Sequence, residues 1–471
     1  MSPAGPLTRA CGIETEYGVA SAHLAPVPDD SAPPVAAEAA VNEIFRHTPQ
    51  RHRSAHHFLA NGSRLYVDIG SHPEYAGAEC RYLSDVLAQD RAGDAILADM
   101  LATANADLAT REPAARIHLL KSNADAHGNT FGCHENYQIR RSPELPTAGF
   151  VGFLAARQIL TGAGLLPFPG EVAHTERPTS ALAPLLFSAR APFMTAPTSA
   201  DPTRGRAFIN TRDEPHADKT RWRRLHIIAG DAARCEATTA VKVLLADALL
   251  ALIEAGGWDL VECELADPIA ATRAWNLDPN SPAERTGGRS PITCPELLTL
   301  VCDRIAPTLP DDPLTARTFD LARRGIAALE SGDYSSVQTE LDWAIKATLA
   351  RHVAASAPEG YADPRVLRTI LAFHDISDTT GLAAGLRRAG LMASWVSPEE
   401  VAAARTTPPT GTRARIRGAF VAACAAAGRS ASVGWAHIRL DSPPRPQIDL
   451  PDPLSDDDAQ AAALIAELTE M

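Results

Sequence analysis

A chain of 471 residues, 45% hydrophobic and 21% charged, is long enough for one large core plus a smaller one, and too apolar to stay unfolded. Its net charge of −13 excludes bulk attraction to nucleic acid or to an anionic membrane, leaving at most a local basic groove for an anionic partner. No apolar run reaches the roughly 18 residues of a membrane span, Met1-Ser2-Pro3-Ala4-Gly5 lacks the features of a signal peptide, and the eight cysteines form no CxxC pair, so the expectation is a reduced, cytoplasmic protein without structural zinc.

Residues 1–10 are expected to be disordered. The run Cys11-Gly12-Ile13-Glu14-Thr15-Glu16-Tyr17 then alternates as a strand, with Glu14 and Glu16 on one face and Ile13 and Tyr17 on the other. Adjacent carboxylates repel unless a cation neutralises them, and Mg²⁺ is a hard cation suited to their oxygens. An exposed acidic edge is the other reading. Residues 36–45 read as a short helix. His47, His52, His56 and His57 follow, too irregularly spaced for a metal site, so a solvated loop is expected.

Asn61-Gly62 is a turn signal. After it, Arg64, Tyr66 and Asp68 alternate with Leu65, Val67 and Ile69, so a strand would aim the polar trio one way and pack the aliphatic trio into a core. With His72 and Glu74 close behind, the polar row is either a site or a half-solvated strand face. A helix is predicted over 83–108, with Ser84-Asp85 as its N-cap. Strands are predicted at 116–121 and 131–139, the second placing His134, Asn136 and Gln138 on one face. A helix over 151–160 precedes a Pro-rich loop region to residue 206. A polar segment at 208–218, a strand at 222–230 and a buried helix at 237–255 follow. From 259 to 410 the chain reads as mainly helical, including 314–331 and 337–354. The tail offers a helix at 413–427, a strand at 432–440 containing Trp435, and a final helix at 456–471. The change of pattern near Ser397 divides the chain into domains 1–396 and 397–471.

Three strands thus carry polar rows. Together they suggest a sheet cradle in which carboxylates hold metal ions and Arg64, with Arg190, Arg204, Arg206 and Arg212, meets a polyphosphate. The chain has no GxxxxGK[ST] loop and no kinase-type Gly-rich loop, so any ATP would lie on the sheet itself.

The blocks GIETEYG (12–18), NGSRLYVDIGSHPEYAGAEC (61–80), GCHENY (132–137), INTRDEPHAD (209–218) and TRARIRG (412–418) resemble those of the Pup–protein ligase (proteasome accessory factor A) family. The resemblance implies an α+β fold. A large N-terminal domain would hold a curved, mainly antiparallel, glutamine synthetase-like sheet cradle backed by helices, and a small α/β C-terminal domain would follow. It implies that ATP phosphorylates the side-chain carboxylate of the C-terminal Glu of Pup, a small disordered ubiquitin-like protein. A substrate lysine then attacks the acyl phosphate, and the isopeptide product is tagged for the bacterial proteasome. Asp68 falls on the family's proton acceptor, Glu14, Tyr66 and Glu74 on its Mg²⁺ ligands, and Arg64 and Trp435 on its ATP contacts. Gly77 occupies an ATP-contact position where Thr is usual. Glu16 joins the metal set from the strand argument. Arg190, Arg206, Arg212 and His216 are candidate phosphate or Pup contacts, and Arg221, Arg223 and Arg224 a candidate basic groove for acidic Pup. The expected partners are Pup and lysine-bearing proteins, with no nucleic acid and no membrane, and the expected state is a monomer. A depupylase is the alternative, against which stand the short segment from Gly18 to Asn61 and the step Ile69-Gly70-Ser71. A binder without turnover is a third reading, resting on departures from the family pattern at Gly77, Ser122, Ala189 and 195–202.

Overall fold

Alternation from Pro6 onward builds the strand around which the sheet assembles. The computed structural model describes residues 3–28, 31–49, 56–125, 128–167, 180–201 and 205–470; His52 and Arg204 lie outside the described residues. The strands before residue 230 are β1 (Pro6–Glu16), β2 (Gly18–His23), β3 (His57–Phe58), β4 (Arg64–Asp68), β5 (His72–Ala76), β6 (Cys80–Tyr82), β7 (Ala115–Leu120), β8 (Cys133–Arg140), β9 (Ala196–Ser199), β10 (Ala207–Asn210) and β11 (Trp222–Ile227). Nine of them form one sheet in the order β3-β4-β5-β1-β8-β11-β10-β9, with β6 also paired to β1. Its strand pairs are antiparallel except β9 with β10. β2 and β7 make a separate antiparallel pair.

Helices back one face of this sheet, as a half-apolar strand pattern requires. They include α2 (Leu83–Ala109), α3 (Thr147–Leu160) and α4 (Glu236–Glu254), while α1 (Ala37–Phe45) packs on β2 and α2. Ile13, Leu65, Tyr137, Leu225 and Ile227 are buried on the helix side. α4 is buried almost all round, and its charged residues are paired inside: Lys242 Nζ donates to the Asp231 carbonyl at 2.5 Å, and Asp247 meets Arg9 at 3.0 Å. The tail has its own small core running from Ile416 to Leu468. It is built from helices Ala414–Ala426 and Ala459–Thr469 and the three-stranded sheet β12 (Ala431–Gly434), β13 (His437–Leu440) and β14 (Ile448–Asp449). The helix Pro398–Ala404 packs on α2 instead.

Several local expectations change. Residues 6–10 belong to β1, because Asp247 accepts from the Thr8 amide and hydroxyl and from Arg9. The α2 N-cap is Tyr82, with no side-chain cap bond; the Ser84 hydroxyl accepts from Ala4 instead. Of the aliphatic trio only Leu65 is buried; Val67 is 40% and Ile69 73% exposed, since β4 ends at Asp68 and the chain turns over the sheet edge through Gly70 and Ser71, both at positive φ. The strand expected over 432–440 is a hairpin with Trp435 in its turn. The helix expected from 337 begins at Asp342 after a short 3₁₀ turn.

All eight cysteines are buried and free. Lys121, Lys242 and Lys346 are buried as well, and Lys219 is the chain's one exposed lysine, in the turn before β11. Among the described residues no helix is long and apolar enough to cross a membrane.

Candidate active site

Register places the polar rows side by side on the sheet face away from the helices. Tyr66 lies opposite Glu74, and Glu74 opposite Glu16, so one row crosses β4, β5 and β1. Glu14 lies between Ala76 and His134 one step along, and Asp68 pairs with His72 at the open end of β4. Strands are spaced by about 4.8 Å, so side chains on a shared row meet. Two groups result. Ligand atoms of Glu16, Asp68 and Glu74 lie within 4.8 Å of one another, and so do those of Glu14, His134 and His226.

The electrostatics of the two groups differ. Burial disfavours charge on Glu14, but Arg224 at 3.4 Å, with His134 at 3.4 Å and His226 at 3.7 Å, overrides it and holds this carboxyl well below the ordinary range. Glu74 has no such partner. Burial, then Glu14 and Glu16, push it well up, and its Oε1 is buried without a hydrogen bond. Burial and Glu16 also raise Asp68, and burial and Glu74 raise the Tyr66 phenol. Burial, then Arg224, lowers His226, whose Nε2 likewise makes no hydrogen bond. Crowded carboxylate oxygens with an orphaned buried acceptor form a donor set that fits a hard divalent cation.

Arg64 stacks over the Tyr66 ring at 4.0 Å, with Nη2 2.6 Å from His56 Nδ1. On the Glu14 side a narrow pocket reaches the tail; Gly77, Gln138, His216, Arg223 and Trp435 line it. Both polar atoms of the Gln138 amide are buried there without partners. Trp435 is held by Arg417, whose guanidinium lies 4.8 Å from the indole ring, and by an edge-on contact with Phe58. Glu79 fastens the tail to the sheet. It pairs with Arg413 at 2.9 Å and with Arg417, which also donates to the carbonyls of Gly62 and Trp435. Burial opposes the Glu79 charge, but Arg417 and Arg413 bring its pKa down to about 2.

On the Asp68 side a cavity of about 460 Å³ holds Asp68, Glu16, His134, Arg190, Arg206 and Arg212. Arg190 is buried, and Arg206 lies over the Phe193 ring at 5.7 Å. Arg212 is exposed and pairs with Glu214 at 2.6 Å. Arg224 donates to Asn136 at 2.6 Å as well as meeting Glu14, whereas Arg221 is exposed and stacks on Trp222 at 5.2 Å. The structure therefore gathers Glu14, Glu16, Tyr66, Asp68 and Glu74 on one face, with Trp435 at one end and Arg190 at the other. His226 and the Glu79 clamp were missed in the sequence. Alternation over Trp222, Arg224 and His226 carried a signal for His226; nothing local pointed to Glu79.

A family model described as "Pup-ligase protein" matches residues 9–439. Pup–protein ligases of Sanguibacter keddieii and Mycolicibacterium smegmatis are each 38% identical over 98% of this chain and 99% of theirs. That of Brachybacterium faecium is 39% identical over 98% of this chain and 96% of its own. A crystal structure of the complex between Pup and its ligase PafA matches with a TM-score of 0.86 at 33% identity, over 98% of this chain and 92% of that one. A structure of the Pup ligase PafA with ADP matches with a TM-score of 0.80 at 32% identity, over 95% and 97%.

Proposed function

The chain belongs to the Pup-ligase family, and from that premise we propose how its sheet face makes the bond. The protein is an ATP-dependent ligase that joins the C-terminal glutamate side chain of Pup to a protein. In our reading the acceptor is a lysine ammonium, the protein works as a monomer in the cytoplasm, and the metal is Mg²⁺.

Glu14, Glu16, Tyr66 and Glu74 would hold the metal, which when bound offsets the charge of the phosphates and of the crowded carboxylates. The pocket between Trp435 and Glu14 would hold the nucleotide, and Arg64 would meet its phosphates. The γ-carboxylate of the terminal glutamate attacks the terminal phosphoryl group, ADP leaves, and an acyl phosphate forms. The lysine enters from the Asp68 side. Its ammonium is no nucleophile, so Asp68 takes a proton, the amine attacks the acyl carbon, and phosphate leaves as the isopeptide bond forms.

The observation that carries this reading is the placement of Asp68. It stands at the rim of the carboxylate row, in the open 460 Å³ cavity, while the Trp435 pocket lies on the other side of Glu14. Nucleotide and amine can thus reach one centre from two sides. The test is to mix the protein with ATP, Mg²⁺, Pup ending in glutamate and a lysine-bearing protein. ADP and a conjugate heavier by one Pup are expected; absence of both would overturn the assignment.

A further inference from the structure

Arg190 is only 6% exposed, yet its guanidinium makes no hydrogen bond to any described residue. Its backbone is held tightly. The Asp231 carboxylate, 1% exposed, accepts from the amides of Ala163 at 2.8 Å, Ala189 at 2.7 Å and Arg190 at 3.1 Å, and from the side chains of Gln158 at 2.8 Å and Ser188 at 3.1 Å. Asn276 fixes Ser188 through both its amide and its carbonyl. A turn anchored this firmly aims one unpaired cation into the cavity that contains Asp68. Burial opposes the charge, and nearby Glu16 and Asp231 only partly offset that. A buried guanidinium left without partners is costly, and an anion with two oxygens in a plane satisfies it best.

The other arginines around the cavity are engaged elsewhere or differently placed. Arg212 is paired with Glu214, Arg224 serves Glu14 and Asn136, and Arg206 is less buried and lies over Phe193. The substrate, on the ligase reading above, brings an anion with no role in the chemistry. A C-terminal glutamate has two carboxylates, and only the γ-carboxylate is activated. The α-carboxylate must be held away from the metal-ligand row, or it would compete for the phosphoryl group. We propose that Arg190 receives this α-carboxylate in a two-pronged pair, so that it selects which of the two carboxylates is phosphorylated. The inference rests on the Pup-ligase reading.

The test compares two forms of Pup on the full-length protein: one ending in glutamate, the other in γ-aminobutyrate, which keeps the side-chain carboxylate and lacks the α-carboxylate. Affinity is read by fluorescence anisotropy, and the KM for ATP by ADP release. The wild type is expected to bind the glutamate form about 30-fold more tightly, in keeping with a charge-assisted pair. Arg190→Gln should bind both forms alike, at the wild-type level for the γ-aminobutyrate form, with an unchanged KM for ATP. Arg190→Lys, which keeps the charge and loses the fork, should recover part of the preference. The inference is overturned if the wild type binds the two forms equally, a result that needs no variant to fold. It is also overturned if Arg190→Gln keeps the preference, or raises the KM for ATP while treating both forms as the wild type does, which would put the guanidinium on phosphate. Anisotropy reads the contact whether or not ADP is released, so a lack of turnover counts against the ligase reading alone.

Discussion

Asp68 and Glu74 lie on neighbouring strands of one face, yet their surroundings suit different work. Glu74 is 2% exposed with an oxygen lacking a hydrogen bond, which suits a metal ligand. Asp68 stands in the open cavity, which suits a group that must meet an incoming ammonium. Asp68→Asn keeps the shape and removes the basicity. Conjugate formation should fall at least about 100-fold while ATP affinity stays within about twofold. A gel assay with a nucleotide titration checks both, and conjugation at the wild-type rate would remove Asp68 from the role. Such residues were legible because strand alternation alone puts Glu14 with Glu16 and Tyr66 with Asp68. Asp231 was not, because it acts on partners far away in the chain that only the folded Ser188 turn brings close.

Among the elements, α3 shows most plainly how backbone approach sets the architecture. A Cβ on Gly152 would lie 1.9 Å from the Cys263 carbonyl oxygen, and one on Gly149 would lie 2.3 Å from that of Leu260. The helix can lie against the 260–265 segment only because both positions lack a side chain. Gly152→Ala should therefore cost about 3 kcal/mol, seen as a lower urea midpoint, since neither backbone can yield without moving the helix off the core. An unchanged midpoint would mean that α3 shifts freely. Long, strongly periodic helices such as α2 and α4 were readable to within a residue or two, because burial and period agree over many turns. The 432–440 hairpin was not, because Trp435 continues the apolar pattern through the turn. The exposure of Val67 and Ile69 was equally hidden, since alternation does not reveal where a strand leaves its sheet.

Over the molecule as a whole, the tail is coupled to the sheet through the ion pairs of Glu79, beside which Arg417 donates to the Gly62 carbonyl and Arg413 to that of His216, and Trp435 lines the pocket at this junction. The Glu79 pKa is depressed to about 2 from an ordinary 4.5, so its contribution to stability is fully present above pH 4.5 and is lost as pH falls toward 2. Glu79→Gln should cost about 3 kcal/mol at neutral pH and flatten the loss of stability between pH 5 and 3. Melting curves at those two pH values check this; an unchanged slope would mean that other carboxylates dominate acid unfolding. The distribution of amines has a different consequence. On the lysine acceptor proposed above, the enzyme works surrounded by copies of itself, each a potential target. Here Lys121, Lys242 and Lys346 are enclosed, and Lys219 alone offers an accessible side-chain amine. Prolonged incubation with ATP and Pup should mark the enzyme at Lys219, and Lys219→Arg should remove that mark as read by mass spectrometry, while marks persisting at the buried lysines would show that the fold opens. On that proposal, near-exclusion of lysine from its own surface leaves the molecule a poor target for the mark it places on others.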